Sequence, residues 1–306
     1  MRTTWDDLPG TLREAVEVVL GGRVVDAASQ AAGFSPGSAD RVVTADGRRA
    51  FVKTLSRTRN PHTFGLHERE LAVMRGMPPG VPAPALLGSY LDGEWIALVL
   101  EDIDGHHPRH GRHGSEVGAV LDAIAALPVV RGRYLAGLPD ASLELSADAL
   151  GWSTLVADDA TAALPAWVRD NLRRLECAAV RAGAAVEGDH LVHLDCRADN
   201  ILVDDGGRAW IVDWPWAAVG AAWLDGLTFL LDTRLRGENV DCERVLREHE
   251  LFADVRVDEI DAVLSAITGM FFDKARHPAP PNMPTIRAFQ RREGLAGAEW
   301  LRERWA

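Results

Sequence analysis

Near residue 101 the hydrophobic periodicity of this 306-residue chain switches from strand type to helix type, and that switch constrains the fold more than any other feature. Before it, RVVDAASQA, DRVVTAD and RRAFVKTL are β-branched or alternating runs, separated by GFSPGS and by the hairpin signal Asp46-Gly47. They predict a meander of three antiparallel strands. LLGSYLDGEWIALVLED adds a hairpin around Asp92-Gly93, and a helical stretch from Pro61 to Met77 lies between the two, closed by the Gly and Pro of GVPAPA. DDLPGTLREAVEVVLGG, with Leu12, Val16 and Val19 on one face, predicts a helix ahead of them all. Beyond the switch, helical patterns run over 115–127, 164–182, 222–235, 239–250, 257–275 and 284–304. One β excursion interrupts them: ILVDDGGRAWIVDW, two strands about a Gly-rich turn.

The chain therefore reads as α+β. A small antiparallel five-stranded lobe with one main helix spans 1–101, IDGHHPRHGRHG forms a linker over 102–114, and a larger, mostly helical lobe spans 115–306. Two such lobes imply a cleft between them, where ligands usually bind.

Charge narrows the partners. The formal charge is −12, and it is unevenly placed: residues 1–101 hold 11 basic and 12 acidic side chains, residues 102–306 hold 22 and 33. An acidic surface repels phosphate backbones and attracts cations, which argues against nucleic acid and fits a cationic small-molecule substrate. MRTTWDDLPG is acidic and lacks an apolar run, and no stretch approaches the ~18 uncharged apolar residues of a membrane span, so a cytoplasmic protein with no membrane partner is expected. Cys177, Cys196 and Cys242 are odd in number and lack metal-type spacing, which predicts three reduced thiols.

The chemistry concentrates around the β excursion. HLVHLDCRADNILV places Asp195 five residues before Asn200, at the edge of a strand, and IVDW places Asp213 at the end of the other hairpin strand. A tight turn at Asp205-Gly206-Gly207 brings the strand ends together, so Asn200 and Asp213 are expected close enough to share a Mg²⁺. Phosphoryl transfer needs such a set: an acceptor hydroxyl oriented in line with the γ-phosphate and a divalent metal to neutralise charge.

H-x-D-x-x-x-x-N, followed by a strand hairpin and a terminal Asp, resembles the catalytic and metal-binding segments of the protein-kinase-like superfamily, and specifically of the aminoglycoside phosphotransferase family. The resemblance covers roughly residues 20–235 and implies a protein-kinase-like two-lobe fold using ATP (or GTP) and Mg²⁺. It assigns Asp195 as the base or hydroxyl-orienting group, Asn200 and Asp213 as metal ligands, and His193 as a support for the loop. Arg197 stands where protein kinases place a phosphate-contacting Lys and would steady the γ-phosphate. Lys53, in FVKTL, corresponds to the family's phosphate-binding lysine; of Glu68 and Glu70 in HERELAVMRGM, Glu70 is its implied partner. Ser35 and Ser38, in GFSPGSADRVV, would contact phosphate. The Glu101 carbonyl and the Ile103 N–H, in LVLEDIDG, would hold adenine. The sequence departs from the family at Leu194, where Gly is usual, and at Trp214-Pro215, which replaces the Phe-Gly of protein kinases.

A protein kinase is disfavoured, because the short stretch from Asp213 to Asp225 has no room for an activation loop and no A-P-E segment. Asp225 is expected to cap a helix beginning near Leu227 and to tie it to the catalytic loop. The resemblance implies a kinase acting on a hydroxyl of an aminoglycoside or related antibiotic, with Asp232, Glu238, Asp241 and Asp273 available to its amines. The alternative is a metabolic or biosynthetic kinase for a sugar, nucleoside, amino alcohol or fructosamine. Ile286, Phe289 and Trp300 of the last helix are expected to close the helical core.

Overall fold

The computed structural model describes residues 3–30, 37–111, 114–130, 135, 137–280 and 283–306. The chain forms two compact units, one of Met1–Pro108, Arg131–Ala136 and Asp199–Ala217, the other of Arg109–Val130, Gly137–Ala198 and Ala218–Ala306.

The first unit opens with α1 (Gly10–Leu20), whose Leu12, Val16 and Leu20 recur at helical spacing and are buried, and which stops at Gly21 in the left-handed region. β1 (Val24–Ser29), β2 (Ser38–Thr44) and β3 (Arg49–Ser56) follow, then α2 (Pro61–Gly76), β4 (Leu86–Leu91) and β5 (Trp95–Leu100). The five strands form one antiparallel sheet in the order β1-β2-β3-β5-β4. Gly47 and Gly93, both at positive φ, make the two hairpin turns. Trp5, Leu8 and the buried stripe of α1 form one core with Val42, Ala50, Val52, Ala97 and Val99. Lys53 follows Val52 in a strand, so it leaves on the opposite face.

The predicted linker carries structure. β6 (Gly105–His106) pairs antiparallel with the later motif hairpin as its third strand, through Val203 opposite His106 and Asp204 opposite Gly105. A Cβ at Gly105 would lie 2.8 Å from the Val203 carbonyl oxygen, so the close pairing requires glycine there.

The second unit begins with β7 (His110–Gly111) and β8 (Gly114–Ser115), a two-stranded ribbon, and is otherwise mostly helical: α3 (Val117–Ala125), α4 (Ala141–Asp148), α5 (Gly151–Ala157), α6 (Ala166–Asp170), α7 (Leu172–Ala179) and α8 (Ala182–Ala185) lead to β9 (His190–Val192). The single helix expected over 164–182 is broken, because the Asn171 amide donates to the Trp167 carbonyl at 2.9 Å and competes with continued helix. α4 and α5 were not predicted; they are short, and only Asp140, accepting from the Ser142 N–H, marks their start.

After β9 the chain passes into the first unit for β10 (Ile201–Asp204) and β11 (Ala209–Ile211), then returns with β12 (Ala218–Gly220), which pairs with β9. The last helices are α9 (Leu224–Leu235), α10 (Cys242–Glu248), α11 (Val257–Ala275) and α12 (Ile286–Arg304). α11 is buried along most of its length and packs against α4, α5, α7, α8 and α12. The Trp152 indole, fully buried, donates to the Ser265 carbonyl on α11 at 2.9 Å. Among the described residues no helix is long and apolar enough to cross a membrane.

Candidate active site

In the first unit the site is organised by α2. Asn60 caps it, accepting the Thr63 N–H at 3.0 Å, and Pro61 occupies its first turn. Its buried stripe runs through Thr63, Phe64, His67, Glu70, Leu71 and Met74. Glu70 is therefore a carboxylate on an apolar face, and only the ammonium of Lys53 makes that placement tolerable: Lys53 Nζ donates to Glu70 Oε1 at 2.6 Å. Glu68 is off the stripe, half-buried, and paired with Arg57 at 3.2 Å.

Lys53 Nζ also donates to Asp213 Oδ1 at 2.6 Å, joining positions far apart in sequence. Burial pulls the Lys53 pKa down, but Asp213 and Glu70 outweigh it and hold the ammonium above the ordinary lysine value. Burial likewise pushes Glu70 upward. His67, one turn before Glu70, donates from Nδ1 to the Thr63 carbonyl; burial, then the nearby Lys53 charge, lower its pKa to about 4, so it is neutral at pH 7.

The hairpin delivers the acidic end. β10 and β11 pair with Ile201 opposite Ile211, and the Val212 N–H donates to the Asn200 carbonyl at 2.9 Å, so Asn200 and Asp213 leave the same end of the hairpin. Asp204 holds its turn by accepting the Gly206 and Arg208 N–H groups. Asp213 has φ +70, a left-handed conformation costly for a non-glycine residue. Trp214 is fully buried and donates to the Ile211 carbonyl at 2.8 Å, so it packs beneath the hairpin end. Trp216 is exposed, with the Arg69 guanidinium 5.3 Å from its ring centroid.

Other predicted positions fall as follows. Arg41 donates to the Ile103 carbonyl at 2.9 Å and pairs with Asp102 at 3.1 Å, while Arg49 bridges Asp102 and Asp104; together they fix the segment carrying Ile103. The Glu101 N–H donates to the Ala85 carbonyl and its carboxylate accepts from the Ala85 N–H. Ser38 is buried at the start of β2, and its hydroxyl is shared with Thr54 across the strands at 2.8 Å. That hydroxyl is engaged within the sheet, so of the two expected routes to phosphate, hydroxyl or backbone N–H, the first does not fit its placement. Ser35 lies outside the described residues.

In the second unit the loop after β9 carries Asp195 and Arg197. α9 supports it with two buried aspartates two turns apart. Asp225 accepts the His193 N–H at 2.6 Å and the Leu194 N–H at 2.9 Å. α9 begins at Leu224, so Asp225 lies inside its first turn and caps the loop, not the helix. Burial raises the Asp225 pKa to about 6, against the two N–H groups that lower it. Leu194 has φ +61, the conformation for which Gly would be the unstrained choice, and Asp225 grips the backbone at that residue.

Asp232 accepts the Ala198 N–H at 2.8 Å and Arg236 Nε at 2.7 Å. It is therefore a clamp on the loop's far end and not a group free for substrate amines. Asp241 caps α10 by accepting the Arg244 N–H through Oδ1, and Asp273 Oδ1 is paired with Arg276. Sequence reasoning expected the Asp225 tie and missed the one at Asp232, although two aspartates at i and i+7 in the apolar run LDGLTFLLDTRL were its signal. Arg197 Nε lies 3.3 Å from Asp195 Oδ1, and the Arg197 N–H donates to the Asp195 carbonyl at 3.0 Å.

The fold has known counterparts. The model of the phosphotransferase enzyme family (APH) matches residues 32–256. Among solved structures, the chain is similar to an aminoglycoside phosphotransferase from Alicyclobacillus acidocaldarius subsp. acidocaldarius DSM 446, at 17% identity over 97% of this chain and 96% of that one, with a TM-score of 0.56. It is similar to ADP-bound aminoglycoside phosphotransferase APH(2'')-Ib at 14% identity over 96% and 99%, TM-score 0.58. It is also similar to choline kinase LicA from Streptococcus pneumoniae at 12% identity over 96% and 97%, TM-score 0.53. At these identities the likeness establishes the protein-kinase-like two-lobe fold. No curated protein sequence matches the chain. The family match, spanning most of the sheet unit, the motif hairpin and the loop that carries Asp195, identifies the chain as a member of the phosphotransferase enzyme family.

Proposed function

We propose that the protein is an ATP- and Mg²⁺-dependent kinase that transfers the γ-phosphoryl group to a hydroxyl of a cationic small molecule. The observation that carries this reading is the Lys53 ammonium joined at 2.6 Å to both Glu70 and Asp213. A half-buried strand lysine, held charged by one buried and one accessible carboxylate, is suited to phosphate oxygens. Asp213 and Asn200, at one hairpin end, offer only hard oxygen donors, which fits Mg²⁺ and not zinc or copper. A metal held by these two residues would neutralise phosphate charge.

The chain's own residues supply the rest. Lys53 binds phosphate, Glu70 keeps Lys53 charged and aimed, and the 101–103 segment, fixed by Arg41 and Arg49, offers the Glu101 carbonyl and Ile103 N–H to adenine. Asp195 accepts the proton of the acceptor hydroxyl as its oxygen bonds to the γ-phosphorus, and the bridging oxygen leaves with ADP. The Asp225 and Asp232 clamps set the loop that carries Asp195. Free thiols at Cys177, Cys196 and Cys242 fit a cytoplasmic setting.

For the acceptor, we favour an aminoglycoside or related amine-bearing antibiotic. The excess negative charge of residues 102–306 supports a cation. Amino alcohols fit the same charge argument, and structural similarity to a choline kinase keeps a metabolic role as the second reading. A coupled ADP-release screen against aminoglycosides, other antibiotics, nucleosides, sugars and amino alcohols tests both. Turnover on an amino alcohol with none on any aminoglycoside rejects the resistance role. Full activity in Asp195→Asn rejects the mechanism.

A further inference from the structure

Phe289 stands on α12, beyond the last residue the family model matches, and nothing in the motif chemistry calls for it. Yet the Arg197 guanidinium carbon sits 5.0 Å from the centroid of its ring. The same guanidinium reaches Asp195 Oδ1 through Nε at 3.3 Å. One charged group thus lies against both the ring and the carboxylate, and meets the carboxylate as an ion pair. Packing against Phe289 therefore limits where the guanidinium charge can lie relative to the carboxylate. The Arg197 side chain is only 15% exposed, so water competes weakly for it.

The base beneath Phe289 is firm. Further along α12, Trp300 and Leu301 are fully buried, and Trp300 donates to Glu243 on α10 at 2.7 Å. α12 thus presents the ring from a packed helix. The core-closing role expected of α12 holds for Trp300, whereas Phe289 is half-buried and faces the arginine of the loop.

We infer that Phe289 is a positioning residue for phosphoryl transfer: its ring holds Arg197, and Arg197 holds the Asp195 carboxylate in the orientation that receives the acceptor hydroxyl. This rests on the assignment of Asp195 made above. It also changes the role of Arg197, from a contact for the γ-phosphate to a brace for the neighbouring carboxylate.

The test is single-turnover ADP release from MgATP with enzyme in excess and water as the acceptor. Phe289→Leu keeps apolar bulk and loses the aromatic face. It is expected to lower the rate constant about tenfold, as loss of a cation–π brace should, with half-saturating ATP unchanged. Phe289→Tyr is expected to restore the rate, and in an Arg197→Ala background Phe289→Leu is expected to have no further effect. A Phe289→Leu protein as fast as the wild type overturns the inference. So does slowing that is equal with and without Arg197, or that matches the fraction melted at the assay temperature. Asp195→Asn is run beside them: if it releases ADP at the wild-type rate, the assignment of Asp195 fails, whatever Phe289 does.

Discussion

Lys53 Nζ is equidistant, at 2.6 Å, from Asp213 Oδ1 and Glu70 Oε1, but the two carboxylates are not equivalent: the Glu70 side chain is 2% exposed and that of Asp213 is 44% exposed. Under the proposed function, Glu70 is the fixed anchor and Asp213 the partner that exchanges the ammonium for a metal. Glu70→Gln removes the anchor charge and moves the ammonium's pairing onto Asp213, where it competes with Mg²⁺. The half-saturating Mg²⁺ concentration should rise about threefold or more and kcat should fall about tenfold. A Mg²⁺ titration of ADP release checks this; an unchanged Mg²⁺ requirement contradicts it.

Leu194 carries a left-handed backbone that glycine adopts without strain. Asp225 accepts its N–H and that of His193, so the conformation is imposed from α9. Leu194→Ala and Leu194→Gly lose the same leucine contacts, and only the second also loses the strain. The glycine variant should be more stable than the alanine variant by about 1 kcal/mol, measured by urea unfolding. Equal stabilities would mean that the loop relaxes around alanine.

Which of these features the sequence discloses follows from how local each one is. The hairpins at Gly47 and Gly93, the strand that carries Lys53 and the stripe that selects Glu70 over Glu68 depend on periodicity and turn chemistry, which a few neighbouring residues specify. Asp232 was misread because its surroundings are supplied by distant segments. As text it is one acid among many, and only the approach of the Ala198 N–H makes it a clamp. β6 is hidden for the same reason, since two residues, Gly105 and His106, form a strand only when β10 pairs with them. Ser38 sits in a segment that looks like a phosphate loop, but its pairing with Thr54 turns its hydroxyl into the sheet.

Asp148 ends α4, where the helix dipole is negative, and burial raises its pKa to about 6, with Lys274 opposing and Glu144 adding. In the unfolded chain the group titrates near the ordinary aspartate value of 3.8. Between about pH 4 and pH 6 the native state therefore binds more protons than the unfolded one, and stability falls as pH rises through that window. The contribution is fully present below about pH 4 and lost above about pH 6. Asp148→Asn removes the titration, so from pH 4 to pH 7 the variant should gain about 1–3 kcal/mol relative to the wild type. Urea unfolding across that range checks the sign; a variant whose relative stability falls with pH refutes it.

The last helix is held by its final turn. Arg304, 6% exposed, donates to both oxygens of Glu243 on α10 at 2.7 and 2.8 Å and to Asp261 on α11 at 2.6 Å. The Trp305 indole adds a bond to Asp261 at 2.7 Å. Removing the guanidinium leaves two carboxylates facing each other without a counter-charge, so Arg304→Met should cost about 3 kcal/mol. Arg304→Lys should recover less than half, because one ammonium cannot reproduce a fork that spans two acids on two helices. Arg302, exposed and 3.6 Å from Glu299, provides the contrast: Arg302→Ala should change stability by less than ~0.5 kcal/mol. Because Phe289 reaches the catalytic loop from this same helix, Arg304→Met should also slow phosphoryl transfer at temperatures well below its melting point, and Arg302→Ala should not. A stability loss in Arg304→Met with an unchanged rate would separate the anchoring of α12 from the placement of Arg197.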